Sequence, residues 1–77
     1  MFDSLSKREV EVLLRISQGY SNKEIGEQLF LSEKTVKNYA TNIFDKLNVK
    51  DRVQAAIVAI ENNIEEYYKR DFSPYFL

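Results

Sequence analysis

The sequence, 77 residues long, predicts an all-α fold of four helices. Apolar residues recur at intervals of three to four positions over several stretches, as they do on the buried face of a helix. No stretch alternates polar and apolar residues for long enough to indicate a β-sheet. Three residue pairs have the capping-box spacing, which satisfies free amide groups at a helix N-terminus: Ser6 with Glu9, Ser21 with Glu24 and Asp51 with Gln54.

The first three helices have recognisable ends as well as starts. Gly19 and Asn48 stand where a helix ends, and both residue types readily adopt the left-handed conformation found there. Ser32 adds one more cap, at the start of the third helix. These signals predict helix one over residues 7–18, helix two over residues 22–29 and helix three over residues 33–47.

The fourth helix is predicted to begin at Arg52 and has two apolar stripes on nearly opposite sides. One stripe must close the core, and the other can pack against a second copy of the chain. We expect the flat, alanine-rich stripe to face outward as the contact of a homodimer, although cover by the C-terminal segment explains it nearly as well. The larger stripe contains Val53, Ala56, Ile57, Ile60 and Ile64, and the alanine-rich stripe contains Ala55, Val58, Ala59 and Asn62.

The C-terminal segment, residues 65–77, is rich in aromatic side chains. It holds five of the ten aromatic residues of the chain. Aromatic density of this kind is typical of an interface. The stripe of Ile60 and Ile64 continues through the first two tyrosines, which leaves open an extension of the fourth helix as far as Ser73–Pro74. The five aromatic residues are Tyr67, Tyr68, Phe72, Tyr75 and Phe76.

Composition argues against an enzyme, a metal site and a membrane protein. Histidine and cysteine are absent, which removes the commonest general base, common metal ligands and any disulfide. Helix capping and pairing with Arg8 explain Glu9, Glu11 and Glu24 better than catalysis does. No run approaches the roughly 18 apolar residues of a membrane span. We expect one domain over residues 1–77, located in the cytoplasm, with no cofactor, no membrane partner and no evident small-molecule ligand.

Basic charge is concentrated in one part of the chain. The net charge of the whole sequence is −1, which taken alone argues against a nucleic-acid-binding protein. Residues 34–52, however, carry five basic side chains against two acidic ones, a net charge of +3. Residues 53–77 carry two basic against four acidic side chains, a net charge of −2. The acidic C-terminal part therefore hides a local basic region in the total.

Helices two and three are separated only by Phe30, Leu31 and Ser32, so they must meet at a steep angle. This is the arrangement of a helix-turn-helix, whose second helix enters the major groove of DNA. The polar arc of helix three has side chains suited to base edges, since lysine binds guanine, asparagine binds adenine and threonine contacts thymine. An ordinary solvated face is the alternative. The arc consists of Lys34, Lys37, Asn38 and Thr41.

A second group of residues is suited to the DNA backbone. Helix N-termini offer amide donors and partial positive charge to phosphate, which favours the starts of helices two and three. Further basic side chains follow toward the start of helix four. The predicted backbone contacts are Asn22, Lys23, Ser32, Lys46, Lys50 and Arg52.

Several short motifs follow one another along the chain: Arg8-Glu9 with Glu11, Gly19, SNKEI at residues 21–25, SEKTVK at residues 32–37, KLNV at residues 46–49, and Arg52 followed by Gln-Ala-Ala. In this order they resemble the LuxR-type, GerE-like family of bacterial helix-turn-helix domains, over about residues 5–60. Members of that family usually carry a further N-terminal domain. This chain resembles a stand-alone member or an excised effector domain.

The resemblance implies a four-helix DNA-binding module with its motif at residues 22–41 and dimerisation through the fourth helix. Base contacts carried over from the family fall on Lys37, Asn38 and Thr41, in agreement with the polar arc. The chain departs from the usual family pattern at Gly26, where alanine is common. An interior glycine costs a helix about 0.5–1 kcal/mol relative to alanine.

Two functions remain open from the sequence. The first is a sequence-specific transcription regulator that binds duplex DNA as a homodimer, with RNA polymerase or another regulator as further candidate partners. The second is a small interaction protein that captures a larger relative through the fourth helix and the aromatic segment.

Overall fold

The computed structural model describes residues 1–72, and the all-α prediction is confirmed. No strand occurs within these residues, and none of their helices is both long and apolar enough to cross a lipid bilayer. The first three helices have their predicted bounds to within one residue. The helices are α1 (Lys7–Ser17), α2 (Asn22–Leu29), α3 (Glu33–Leu47), α4 (Arg52–Glu61) and α5 (Ile64–Phe72).

Capping boxes start α1 and α2 as predicted. The amide of Glu9 donates to the Ser6 hydroxyl at 3.1 Å, and the amide of Ser6 donates to Oε1 of Glu9 at 2.8 Å. Ser21 and Glu24 make the same pair of hydrogen bonds at the start of α2. Each box satisfies two amide groups that would otherwise lack a partner in the helix.

The third predicted capping box forms only in part. Asp51 accepts a hydrogen bond from the amide of Gln54 at 2.9 Å, as a helix cap should. Oε1 of Gln54, however, accepts from the amide of Lys50 at 2.8 Å instead of the cap residue's own amide. Gln54 therefore ties the start of α4 to the residue before its cap.

Helix α1 is the centre of the fold and packs against α3, α4 and α5. Its inward face consists mainly of large aliphatic side chains. Burying each such side chain stabilises the fold by roughly 1.5–3 kcal/mol. The largest fully buried side chains of the core are Val10, Val12, Leu13, Ile25, Val36 and Ile43.

A close approach between α2 and the following turn sets the position of α3. The amide of Leu31 donates to the carbonyl oxygen of Gly26 at 2.8 Å. A Cβ atom at Gly26 would lie 2.5 Å from the Leu31 carbonyl oxygen, well inside normal contact distance. The glycine, despite its low helix propensity, therefore allows an approach that any side chain would block. Phe30, between the two helices, has a left-handed backbone with φ of 60°.

The extension of the fourth helix that the sequence left open is not formed, and a fifth helix follows it instead. Helix α4 ends at Glu61, and a separate helix begins at Ile64. Asn63 between them has a left-handed φ of 55°, which ends a helix and which asparagine tolerates better than most residues. The change of direction interrupts the predicted stripe, because Ile60 is exposed while Ile64 is buried.

The orientation expected for α4 was wrong. Ala55 and Ala59 are completely buried, at 0% exposed. Helix α4 lies against α1, whose large side chains already fill the space, so small residues are what the contact can hold. The side chains left outside are Val53, Ile57 and Ile60, at 67%, 49% and 59% exposed, and they define the α4 outer face.

Helix α5 folds back onto the core through aromatic contacts. The rings of Phe2 and Tyr67 have centroids 5.2 Å apart, and Phe72 lies 5.9 Å from Tyr67. Acidic residues in the first turn of α5 and basic residues in its last turn complement the helix dipole. The remainder of the predicted aromatic segment, including Ser73–Pro74, Tyr75 and Phe76, lies outside the described residues.

Candidate nucleic-acid interface

The polar arc of α3 lies on the outer surface of the domain. Lys34, Lys37, Asn38 and Thr41 are all exposed, while the apolar side of α3 faces the core. Within residues 1–72, the side chains of Lys34, Lys37 and Asn38 have no hydrogen-bond or ion-pair partner. The structure therefore brings the four predicted base-reading residues together on one surface, with three of them available to a ligand.

Thr41 and Ser32 already make hydrogen bonds within α3. The Thr41 hydroxyl donates to the carbonyl oxygen of Lys37 at 3.1 Å, so its methyl group and an oxygen lone pair remain for other contacts. Ser32 accepts from the amide of Thr35 at 3.1 Å and donates to the Thr35 hydroxyl at 2.9 Å. Ser32 thus fixes the first turn of α3, from which Lys34 projects.

The start of α2 is linked to the start of α4 through an arginine. Nη1 of Arg52 donates to Oδ1 of Asn22 at 2.7 Å, and Nη2 donates to the carbonyl oxygen of Tyr20. Burial lowers the pKa of the Arg52 guanidinium, which remains protonated at neutral pH. Arg52, predicted to contact the DNA backbone, therefore has two of its nitrogens engaged inside the protein. The neighbouring Lys23 is exposed.

Lys46 is also bound to another residue of the domain, although its side chain stays partly exposed. Its Nζ donates to Oε1 of Glu9 at 2.8 Å and forms an ion pair between the end of α3 and the start of α1. Glu9 is only 4% exposed, so the lysine neutralises a buried carboxylate. The ammonium group of Lys46, predicted to contact the DNA backbone, therefore pairs with Glu9 in this structure. Lys50 is exposed, and its ammonium group has no partner in the described part of the chain.

Two features near this surface were not found from the sequence. Phe30 is 94% exposed in the turn that leads into α3, although its backbone is left-handed. The available signal was a large aromatic residue at a helix end, where glycine or asparagine is usual. The contact between Arg52 and Asn22 joins positions 30 residues apart, and no local pattern indicates it.

The predicted dimer contact on α4 is not a continuous exposed surface. Ala55 and Ala59 are buried against the domain's own core, so no second chain can reach them. Val58 is partly buried, and Asn62 donates from its side-chain amide to the Val58 carbonyl oxygen at 2.8 Å. The exposed apolar side chains of α4 lie instead on the α4 outer face, on the other side of the helix.

Residues 3–59 match the family model described as bacterial regulatory proteins, luxR family. The chain belongs to this family. The matched range contains α1, α2, α3 and most of α4. It therefore includes the whole polar arc and the turn that precedes it.

Curated LuxR-family relatives are similar to this chain over most of its length. It is 55% identical over 62 residues to the transcriptional regulatory protein LiaR of Bacillus subtilis, covering 80% of this chain and 29% of LiaR. It is 55% identical over 58 residues to the transcriptional regulatory protein DegU of Brevibacillus brevis, covering 75% and 25%. It is 45% identical over 64 residues to the response regulator protein VraR of Staphylococcus aureus, covering 83% and 31%. The chain thus spans less than a third of the length of these relatives.

Proposed function

We propose that this LuxR-family chain is a sequence-specific DNA-binding domain that serves transcription regulation, with α3 as the recognition helix in the major groove. The observation that carries the proposal is the polar arc, whose four side chains are exposed together on one side of α3. The tight turn at Gly26 and Leu31 fixes the start of that helix. LiaR and DegU are described as transcriptional regulatory proteins, which agrees with this role.

The side chains of the arc have complementary base partners in the major groove. Lys34 and Lys37 would donate to O6 and N7 of guanine, and Asn38 would make a bidentate contact with adenine. Thr41 would contact a thymine methyl with its own methyl group, because its hydroxyl is bound to the Lys37 carbonyl oxygen. The arc can therefore distinguish base pairs by hydrogen bonds and by an apolar contact.

Phosphate contacts would come from the edges of the same surface. Lys23 and Lys50 supply exposed positive charge. Asn22 and Ser32 lie at the starts of α2 and α3, where helix amide groups and dipoles favour phosphate. The affinity for DNA should therefore fall steeply with salt, with a slope of about −0.9 for each phosphate neutralised.

Selection of bound sites from random duplexes, followed by fluorescence anisotropy, tests the DNA-binding proposal. Lys37→Ala and Asn38→Ala should each weaken binding to the selected site by about 5- to 150-fold, since a bidentate base contact contributes roughly 1–3 kcal/mol. Lys7→Ala is the matched control, because it removes an exposed lysine from the start of α1. Failure of the wild-type chain to bind any selected duplex at moderate salt would refute the proposal.

We further infer that the domain forms a two-fold homodimer through the α4 outer face. Three large aliphatic side chains are exposed together there, and a symmetric contact would remove them from water. A dimer of this kind places two copies of α3 in neighbouring major grooves about 34 Å apart, which requires inverted half-sites.

A regulator that binds the bacterial chromosome acts in the cytoplasm.

Analytical ultracentrifugation tests the dimer. Ile57→Glu should convert the dimer to monomer, because it places a charge in the middle of the apolar face. Gln18→Glu adds the same charge at an exposed position on the end of α1 and should leave the dimer intact. A wild-type chain that stays monomeric at high micromolar concentration, both free and on DNA, would exclude this contact.

The same outer face would suit a longer relative as well as a second copy, which keeps the heterodimerising inhibitor as a second candidate function. The two functions predict different results for one preparation. Specific duplex binding by the chain alone supports the regulator. Absence of duplex binding, together with a stable complex with a full-length relative, supports the inhibitor.

A further inference from the structure

The position of Arg52 is not explained by the stability of α4. It is the first residue of that helix, and its guanidinium reaches the start of α2. Both places are helix N-termini, where the helix dipole disfavours a positive charge. The contact also withdraws the guanidinium partly from water, which lowers its pKa. The arrangement therefore does not serve the stability of α4 itself, and it links α4 to the start of α2.

The contact fixes which way the Asn22 side chain faces. A guanidinium has hydrogen-bond donors only, so the atom of Asn22 that accepts from it must be Oδ1. The hydrogen bond is 2.7 Å long, and the second donor of Arg52 is held by the Tyr20 carbonyl oxygen. The Nδ2 group of Asn22 must then lie on the side away from Arg52. No residue in the range 1–72 accepts a hydrogen bond from it.

We propose that Arg52 is a positioning residue for DNA binding: it holds the Asn22 amide so that Nδ2 donates to a phosphate, and Arg52 itself does not touch the DNA. The inference rests on the proposed DNA-binding function and deepens it. Asn22 is the first residue of α2, beside the exposed Lys23, so its free donors lie where phosphate is favoured. A neutral donor held in this way adds to the affinity for DNA without adding a positive charge to the interface, so it does not add to the salt dependence of binding.

A double-mutant cycle on the selected duplex tests the proposal. Asn22→Ala and Arg52→Met should each weaken binding about 10- to 150-fold, the range expected for one hydrogen bond to a charged phosphate. Arg52→Met should cause no further loss once Asn22 is alanine, because its effect passes through that side chain. Losses that multiply in the double variant would overturn the proposal.

Two further measurements separate positioning from a direct charge contact. Arg52→Met should leave the salt slope of binding unchanged, whereas Lys23→Ala should reduce it by about 0.9. Arg52→Lys keeps the charge but lacks the pair of guanidinium donors that bind Asn22 and Tyr20 together, so it should bind DNA about as weakly as Arg52→Met. A slope that falls by about 0.9 in Arg52→Met, or wild-type affinity in Arg52→Lys, would mean that the arginine acts through its charge.

Asn22→Asp separates an effect on DNA binding from an effect on folding. This variant keeps an oxygen for Arg52 to donate to, so its urea midpoint should be no lower than that of the wild-type chain. It replaces the free donors with a negatively charged acceptor, so it should bind DNA at least about tenfold more weakly. Wild-type affinity in Asn22→Asp would exclude a phosphate contact at this position.

Failure of this inference is distinguishable from failure of the proposed function. If the wild-type chain binds a selected duplex and the cycle is additive, only the positioning role of Arg52 is lost. If the wild-type chain binds no duplex, the DNA-binding function is refuted together with it.

Discussion

The ion pair between Glu9 and Lys46 provides a direct test of how α1 and α3 are held together. Glu9 is buried at 4% exposed, and its Oε1 accepts from the amide of Ser6 and from Nζ of Lys46, both at 2.8 Å. One oxygen atom therefore caps α1 and anchors the last turn of α3. We expect Glu9→Gln to weaken both functions without changing the shape of the side chain.

The magnitude follows from how far each partner is buried. Removing one partner of a fully buried ion pair costs about 3–5 kcal/mol. The Lys46 side chain, however, is 42% exposed, so it can recover water when its partner is neutralised. We therefore expect Glu9→Gln to lower the free energy of unfolding by about 1–2 kcal/mol, in the range of one charge-assisted hydrogen bond. At about 2.1 cal/mol/K per residue this is a fall in Tm of roughly 6–12 °C.

The pH dependence of this loss has a definite direction. Burial raises the pKa of Glu9, but the hydrogen bonds from Lys46 and Ser6 and the charge of Lys46 together hold that pKa below its ordinary value of 4.5. A folded-state pKa that is lowered adds stability above the unfolded value, and this stability is lost as the pH falls through the folded value. The difference between wild type and Glu9→Gln should therefore be full at pH 7, begin to shrink near the unfolded value and disappear once the pH is below the lowered pKa of the folded state.

Urea unfolding followed by circular dichroism at several pH values measures both effects. Glu24→Gln is the matched control, because Glu24 forms the same capping box on α2 at an exposed position with no lysine bound to it. It should destabilise the chain less than Glu9→Gln does at pH 7. Equal losses in the two variants at pH 7, or a loss in Glu9→Gln that persists unchanged in acid, would refute the reasoning about Lys46.

Three further predictions concern the turn before α3, the interior of α2 and the N-terminal cap of α2. Phe30→Gly should raise the free energy of unfolding by up to about 1 kcal/mol, because a left-handed backbone costs about 1–2 kcal/mol and glycine's extra entropy offsets only part of this; a lower urea midpoint would contradict it. Gly26→Val should lower the free energy of unfolding by about 1–3 kcal/mol, because its Cβ would lie 2.5 Å from the Leu31 carbonyl oxygen. An unchanged Tm would mean that the turn can move to make room for the side chain. Ser21→Ala should cost about 1 kcal/mol, since the amide of Glu24 loses its acceptor; urea unfolding with no change would exclude a contribution from this cap.

Features set by neighbouring residues could be predicted from the sequence. Ser6, Ser21 and Ser32 cap their helices as expected, because a cap depends on a side chain and amide groups within three residues of it. The polar arc of α3 was also found, since the repeat of 3.6 residues fixes which side chains share a face. These parts of the fold and of the candidate site need no knowledge of the rest of the chain.

Features that depend on what a helix packs against could not be predicted. Two stripes on α4 were recognised, but the sequence alone does not say that α1 fills the core and leaves room only for Ala55 and Ala59. The contacts of Lys46 with Glu9 and of Arg52 with Asn22 join residues 37 and 30 positions apart. No local pattern reveals such contacts, so the sequence predicts that both basic side chains are available to bind DNA. The left-handed backbone of Asn63, which separates α4 from α5, could not be predicted, because the only local indication of it is a pair of asparagines at residues 62–63.

In the proposed homodimer, the short length of α4 would limit how tightly two copies of the domain bind each other. Ten residues make a helix only about 15 Å long, far too small to bury the roughly 800 Å² per partner of a typical stable complex. Single copies would then predominate in dilute solution, and adjacent half-sites would bring them together at a high effective concentration. Occupancy of a paired operator would rise with nearly the square of the protein concentration, so a modest change in expression would switch it sharply.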